Sequence, residues 1–137
     1  MSQQQLFIKT HQRGAVEITQ KVNDIIVIQG HLVELCHVFV AHSSASLMIT
    51  GSGSEDSDIL LDVEDYLQKI VLDANPKYRH NNEDDFDMSG HIRTILTGEA
   101  KTVPIIDNKL GLGQFQGLFL YEHRAGENTR KLIITLS

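Results

Sequence analysis

Seven of the 137 residues are histidines: His11, His31, His37, His42, His80, His91 and His123. His80 and His91 bracket an acidic stretch that also carries Asp84, Asp85 and Asp87. A neutral imidazole nitrogen binds zinc and similar ions, and a nearby carboxylate fixes the ring and raises its basicity. His42 follows an apolar run and offers a third nitrogen; three protein ligands plus a water is the usual form of a catalytic zinc site. The spacing of His80 and His91 matches no recognised ligand pair. From the residues alone two readings therefore stand: a metal or general-base site, or solvated loop histidines beside carboxylates.

Other candidates carry less. Ser43-Ser44 lacks the strained Gly-x-Ser-x-Gly elbow of a serine nucleophile and reads as a turn. Gly51-Ser52-Gly53-Ser54 precedes a helix, whose N-terminus attracts anions. It has no P-loop lysine, however, and Glu55, Asp56 and Asp58 repel phosphate. Cys36, on an apolar strand face, reads as buried and inert. Arg124, Arg130 and Lys131 either hold an anion or cover a sheet edge.

These residues need elements to place them. Leu6 to Thr19 reads as two short strands parted by His11–Gly14, with Gly14 the turn residue and Thr19 a helix N-cap. Val22, Ile25 and Ile26 follow at helical spacing, and Gly30 suits the stop. From Leu35 the run is dense in β-branched and aromatic residues, with Cys36, Val38 and Val40 on one face and His42 next on that face. Ser46 to Thr50 reads as a strand forming a hairpin with it. The Gly51–Asp58 loop leads into a helix whose apolar face is Ile59, Val63, Tyr66/Leu67 and Ile70, ended by Asn75-Pro76. Tyr78 to Asp87 is a long polar loop, and a short helix capped by Ser89 and closed by Gly98 follows. The last third is strand: Thr102–Ile106, with Pro104 near an edge or bulge, a turn at Asp107-Asn108, then Gly113–His123 and Lys131–Leu136. The order predicts an α+β single domain over residues 1–137, with a mostly antiparallel β-sandwich-like core and about three helices.

Composition bounds the function. Twelve Lys and Arg against eighteen Asp and Glu give a net charge of −6, which argues against nucleic acid or an anionic membrane as partner. At 41% apolar and 22% charged the chain has an ordinary globular balance. One cysteine excludes an intrachain disulfide. No apolar run approaches the ~18 residues of a membrane span, and the N-terminus has no basic region followed by an apolar stretch. The expected location is the cytoplasm.

Several ordered motifs are similar to one family. They are His42–Thr50, Tyr78-Arg79-His80, Asp87–Ile92, the Pro104 strand, Gly111–Arg124 and the closing Thr129–Leu136. Together they resemble the YjbQ-like family of secondary thiamine-phosphate synthase type, over essentially the whole chain. The resemblance implies a compact α+β domain assembled as a homotrimer. It implies a site built on His42, His80 and His91, with Asp87 beside them, Asp62 at the position of a family Asp, and Gln116 at that of a family Gln. It implies a weak thiamine-phosphate synthase activity, coupling a pyrimidine pyrophosphate to a thiazole phosphate. A divalent metal, zinc favoured, is expected on the three histidines, and a phosphorylated small molecule as ligand. Two departures stand out. Ile49-Thr50-Gly51-Ser52-Gly53 replaces the family's Asn-Glu-Asn stretch, and Phe115 replaces the Trp before Gln116, which removes an indole N–H donor. The alternative reading is a non-catalytic trimer that binds a metal or metabolite.

Overall fold

Alternating apolar and polar residues pair into two antiparallel sheets that share one core. The structure, a computed structural model, describes residues 1–29, 32–52 and 57–137. In chain order the elements are β1 (Ser2–Thr10), β2 (Gly14–Glu17), α1 (Thr19–Gln29), β3 (Leu35–Val40), β4 (Ala45–Gly51), α2 (Asp58–Ile70), α3 (Asp87–Thr97), β5 (Ala100–Ile106), β6 (Lys109–Leu110), β7 (Gln116–Glu122) and β8 (Asn128–Leu136). One sheet runs β1-β8-β3-β5-β6 and the other β2-β7-β4. Cys36, Val38 and Val40 of β3 and Leu132, Ile134 and Leu136 of β8 pack with Leu47 of β4 and Leu118 and Leu120 of β7. The predicted α+β class with a sandwich-like core and three helices is the one observed. No helix among the described residues is long and apolar enough to cross a membrane.

The expected β3–β4 hairpin does not form. β3 pairs with β5 and β8, and β4 pairs with β7. The chain crosses between sheets at His42–Ser44, because both strands are apolar on the inner face and bury more by lying in opposite layers. β1 and β2 likewise part at Gly14, whose φ of 146° suits glycine. Thr19 does not cap its own helix: its hydroxyl accepts the Leu118 N–H at 2.9 Å. At the predicted turn after β5, Asp107 and Asn108 take φ of 51° and 64°, the left-handed pair of a type I′ hairpin. The sequence did not signal β6, only two residues long, beyond that turn. Pro104 pairs with Leu35, next to the short edge strand β6.

α2 turns a different face inward from the one expected. Leu60 and Leu67 are buried, whereas Ile59, Tyr66 and Ile70 are about half exposed or more. Glu64, on the same stripe as Leu60 and Leu67, sets this rotation. It takes both terminal nitrogens of Arg93 on α3 at 2.8 Å and the Tyr121 hydroxyl of β7 at 2.6 Å. α2 also ends at Ile70, ahead of Asn75-Pro76, and α3 starts at Asp87 rather than after Ser89. The Ser89 hydroxyl bonds instead to Asp73. Gly30, His31 and Gly53–Asp56, which carried the helix-stop and phosphate-cradle readings, lie outside the described residues.

Candidate metal centre

Asp87 opens α3, where the positive end of the helix dipole favours a carboxylate. His91 lies one turn on, so both side chains share a face. The preceding loop brings His80 to the same point. A single oxygen, Asp87 Oδ2, meets His80 Nε2 at 2.7 Å and His91 Nε2 at 3.2 Å. The two rings stand edge to face with centroids 5.4 Å apart. One ligand atom from each of the three residues lies within 4.8 Å of the other two. Asp87 is buried, while His80 and His91 keep 48% and 27% of their side chains exposed. The cluster therefore has a closed floor and an open mouth.

Protonation follows from the partners. The Ser43 carbonyl oxygen lies 3.1 Å from His91 Nδ1. A carbonyl only accepts, so Nδ1 carries the proton and a neutral His91 has its lone pair on Nε2. That lone pair faces the Asp87 oxygen. The contact is repulsive unless the ring takes a second proton or a cation lies between the two atoms.

Neighbouring elements hold the cluster rigid. Arg13 forks onto Asp73 at 2.8 and 2.9 Å, donates to the His123 carbonyl at 2.8 Å, and stacks 3.8 Å over the Phe86 ring at the start of α3. Burial would raise the Asp73 pKa, but Arg13 and Ser89 hold it below the usual carboxylate range. Behind Ser43, the buried Arg130 pairs with Glu122 and donates to the Ser44 hydroxyl at 3.0 Å. The Ser43 carbonyl that orients His91 is thereby anchored. Arg124 binds Asp84 at 3.0 Å and stands 3.6 Å from Asp87 Oδ1, the oxygen the histidines leave free. It is the functional candidate the sequence least resolved: it read only as one of three C-terminal cations.

Of the expected site residues, His80, Asp87 and His91 converge. His42 is not among the three residues whose ligand atoms lie within 4.8 Å of one another, and its Nε2 accepts the Lys131 backbone N–H at 2.8 Å. Its ring lines an open cavity of about 580 Å³ that His91 also lines, with Phe39, Val40, Ala41 and Ile95 as apolar walls. Burial and then the charge of Arg130 lower the His42 pKa, with Glu122 opposing. Gln116 and Asp62 are exposed. Gln116 starts β7 and accepts the Gly113 N–H at 2.8 Å, whereas Glu122, at the other end, pairs with Ala45 close to the cluster. Six strand steps of about 3.4 Å separate the two ends, so within one chain Gln116 sits roughly 20 Å from that end. Thr50 and Gly51 lie at the Gln116 end too.

Ser46 and His123 look like a nucleophile and base, with Oγ and Nε2 2.8 Å apart. Both are fully buried, so no substrate reaches them. Burial pushes the His123 pKa down to about 3.

Fold and site together define a two-sheet α+β domain with a two-histidine, one-carboxylate cluster at the start of a helix. Residues 4–137 match the family described as UPF0047 protein YjbQ-like. A UPF0047 protein of Synechocystis is 36% identical over 135 residues, 98% of this chain and 90% of that protein. YjbQ of Salmonella typhimurium is 34% identical over 120 residues, 88% of this chain and 83% of that one. A conserved hypothetical protein of Thermus thermophilus has the same fold, with a TM-score of 0.83 at 26% identity over 98% of this chain and 99% of that one. A hypothetical protein of Aeropyrum pernix superposes with a TM-score of 0.88 at 20% identity, covering 100% of this chain and 98% of that one. The chain belongs to the YjbQ-like UPF0047 family.

Proposed function

We propose that the protein is a cytoplasmic, divalent-metal-dependent enzyme acting on a phosphorylated small molecule, with zinc held by His80, Asp87 and His91. The carrying observation is the His91 geometry: a backbone-fixed Nδ1–H leaves the Nε2 lone pair aimed at Asp87 Oδ2 from 3.2 Å. Ligand atoms about 2 Å from a tetrahedral zinc stand about 3.3 Å from one another, which the His91–Asp87 contact of 3.2 Å matches. His80, whose Nε2 donates to Asp87 Oδ2 at 2.7 Å, would give up that proton and move out by a few tenths of an ångström to ligate. Its chemistry, two imidazoles and a carboxylate with open positions left over, is that of a catalytic centre.

The reaction favoured is the thiamine-phosphate-synthase-like coupling that the resemblance implies, in which a thiazole nitrogen displaces pyrophosphate from a pyrimidine methylene. When bound, the metal supplies Lewis acidity that stabilises negative charge on the leaving phosphate. Arg124 supports an anion from the protein side, beside Asp87. The apolar walls of the open cavity next to His91 suit a ring on the substrate.

A homotrimer belongs to this reading. Exposed apolar side chains on α2 and α3, among them Tyr66, Ile70, Ile95 and Leu96, support assembly. Gln116, far from the histidines in its own chain, would join a site only from a neighbouring subunit. The alternative, a non-catalytic metal- or metabolite-binding trimer, is favoured by Thr50 and Gly51, which bring no carboxylate or amide. The test is to incubate zinc-loaded protein with the pyrimidine pyrophosphate and thiazole phosphate and follow thiamine phosphate. Product formed by the wild type and abolished in His91→Ala supports the enzyme. Zinc binding without product selects the alternative. Light scattering that gives a monomer mass at micromolar concentration contradicts the trimer.

A further inference from the structure

We infer that His42 is not a metal ligand but a fixed hydrogen-bond donor, presenting Nδ1–H to an oxyanion of a phosphate monoester whose apolar ring occupies the cavity shared with His91. The inference rests on the zinc reading for the position of the phosphate, but its first leg stands on backbone geometry alone.

β3 and β8 run as an antiparallel ladder as far as Val40 and Leu132, and the Ala41 N–H still donates to the Lys131 carbonyl at 3.1 Å. Beyond that rung the main chain of β3 turns away towards the other sheet. The Lys131 N–H is then taken by the His42 ring, through Nε2 at 2.8 Å. An amide N–H only donates, so Nε2 holds the lone pair and the neutral ring carries its proton on Nδ1. A metal needs a lone pair. The nitrogen that has one is occupied by the backbone, and the other is protonated. Burial and then the charge of Arg130 disfavour a second proton on the ring, against an opposing Glu122. His42 is therefore a neutral donor with a set orientation.

The Nδ1–H takes no partner among the described residues and is not a buried orphan. It is free for a ligand, and His42 is one of the residues lining the cavity. The same cavity is bounded by Phe39, Val40 and Ile95, carries Thr94 and the acidic Glu99 in its lining, and reaches His91. A ligand with an apolar ring between these walls and a phosphate at its His91 end would meet the zinc and the His42 donor through different oxygens. A phosphate oxygen is an acceptor only, so it matches a ring that offers only a donor.

The test uses the full chain. On chelator-stripped, nitrogen-15-labelled protein at pH 7.5, long-range correlations of the imidazole nitrogens report each tautomer, with His42→Ala giving the assignment. The Nδ1–H form is expected; an Nε2–H form or a charged ring overturns the assignment. Zinc affinity, read by competition with a chromophoric chelator, should stay within about threefold in His42→Ala and fall by about a hundredfold in His91→Ala. Equal losses would make His42 a ligand and end the proposal. Phenyl phosphate added to zinc-loaded protein should bind about tenfold more weakly to His42→Ala. His42→Asn, whose amide N–H reaches the Nδ1 position, should recover part of that loss, and it serves as the second variant if alanine impairs folding. Unchanged phenyl phosphate affinity in both variants removes the substrate contact. A wild type that binds no zinc refutes the metal reading instead, and the tautomer, measured on metal-free protein, still decides the case for His42.

Discussion

The Ser43 carbonyl oxygen and the His91 Nδ1–H, 48 positions apart in sequence, meet at 3.1 Å and so decide which nitrogen of His91 can bind an ion. Only the backbone of Ser43 takes part. Ser43→Ala should leave zinc affinity within about twofold, since no side-chain atom is used. Asp87→Asn should weaken it by between ten- and a hundredfold, because an amide oxygen without charge replaces the carboxylate that both rings face. Chelator competition checks both. Loss of affinity in Ser43→Ala as large as in Asp87→Asn would mean that the serine hydroxyl, not the carbonyl, orients the site.

A metal held by two imidazoles also links pH to stability. Only unprotonated imidazole ligates, so protons compete with the ion and displace it as the solution is acidified. A ligand bound only by the native state raises its stability. Chelator should therefore lower the Tm of zinc-loaded protein by about 5 °C or more at pH 7.5 and change little at pH 5. His11→Ala, on an exposed turn, should keep that sensitivity and His91→Ala should lose it. Superimposed melting curves with and without chelator at pH 7.5 would show that the ion does not contribute to the fold.

Much of the fold and part of the site were legible in the sequence. Period-two alternation in Cys36–Val40 and Leu132–Leu136 marks a strand with one buried face, and that face carries through to the core. The sequence marks His80, Asp87 and His91 as candidates, but it leaves Asp87 in a loop. Only the helix start at Asp87, two residues earlier than the Ser89 cap implies, puts Asp87 and His91 on one face. Other features depend on tertiary contacts that local pattern does not encode. Cys36–Val40 and Leu47 suit adjacent strands as well as opposite layers, so the false hairpin was the locally consistent choice. The rotation of α2 is set by Glu64 reaching Arg93, a polar contact hidden inside an apparently solvated face. The role of His42 turns on one hydrogen bond to Lys131, 89 positions away, which no spacing rule can supply.

Acid stability should report the buried polar layer under α2 and α3. Burial, followed by the charges of Arg93 and Arg13, lowers the His123 pKa to about 3 in the folded protein, against about 6.5 for an unfolded histidine. The unfolded state then binds the extra proton first, so this stability is complete above about pH 6.5 and is lost as pH falls from there towards 3. Between pH 7.5 and 5 the loss from this one group is about 2 kcal/mol. Glu64 acts in the same direction at lower pH: burial raises its pKa, but hydrogen bonds from Arg93 and Tyr121 hold it at about 2. Urea denaturation of chelated protein at the two pH values gives the slope. In His123→Gln, which keeps a polar contact for Ser46 without titrating, most of the slope between pH 7.5 and 5 should vanish. A slope as steep as in the wild type would place the titration elsewhere.

Two arginines separate structural from functional charge. Arg93 is fully buried, with both terminal nitrogens on Glu64 and its Nε without a hydrogen-bond partner. Arg93→Ala removes one partner and leaves a half-buried carboxylate, so it should destabilise by about 3 kcal/mol. Arg124 is part-exposed on the site rim, and Arg124→Ala should change stability by less than about 1 kcal/mol while weakening phosphate binding to zinc-loaded protein. Denaturant midpoints and phosphate titration distinguish them; a larger stability loss in Arg124→Ala than in Arg93→Ala would reverse the two roles.

The proposed chemistry requires one divalent ion on His80, Asp87 and His91. Crystals of zinc-loaded protein, with diffraction collected on both sides of the zinc absorption edge, locate such an ion directly. The account predicts one anomalous peak about 2 Å from His80 Nε2, His91 Nε2 and an Asp87 oxygen, with His42 Nε2 still bonded to the Lys131 N–H. An empty cluster after loading, or a zinc bound through His42 in place of Asp87, would contradict it.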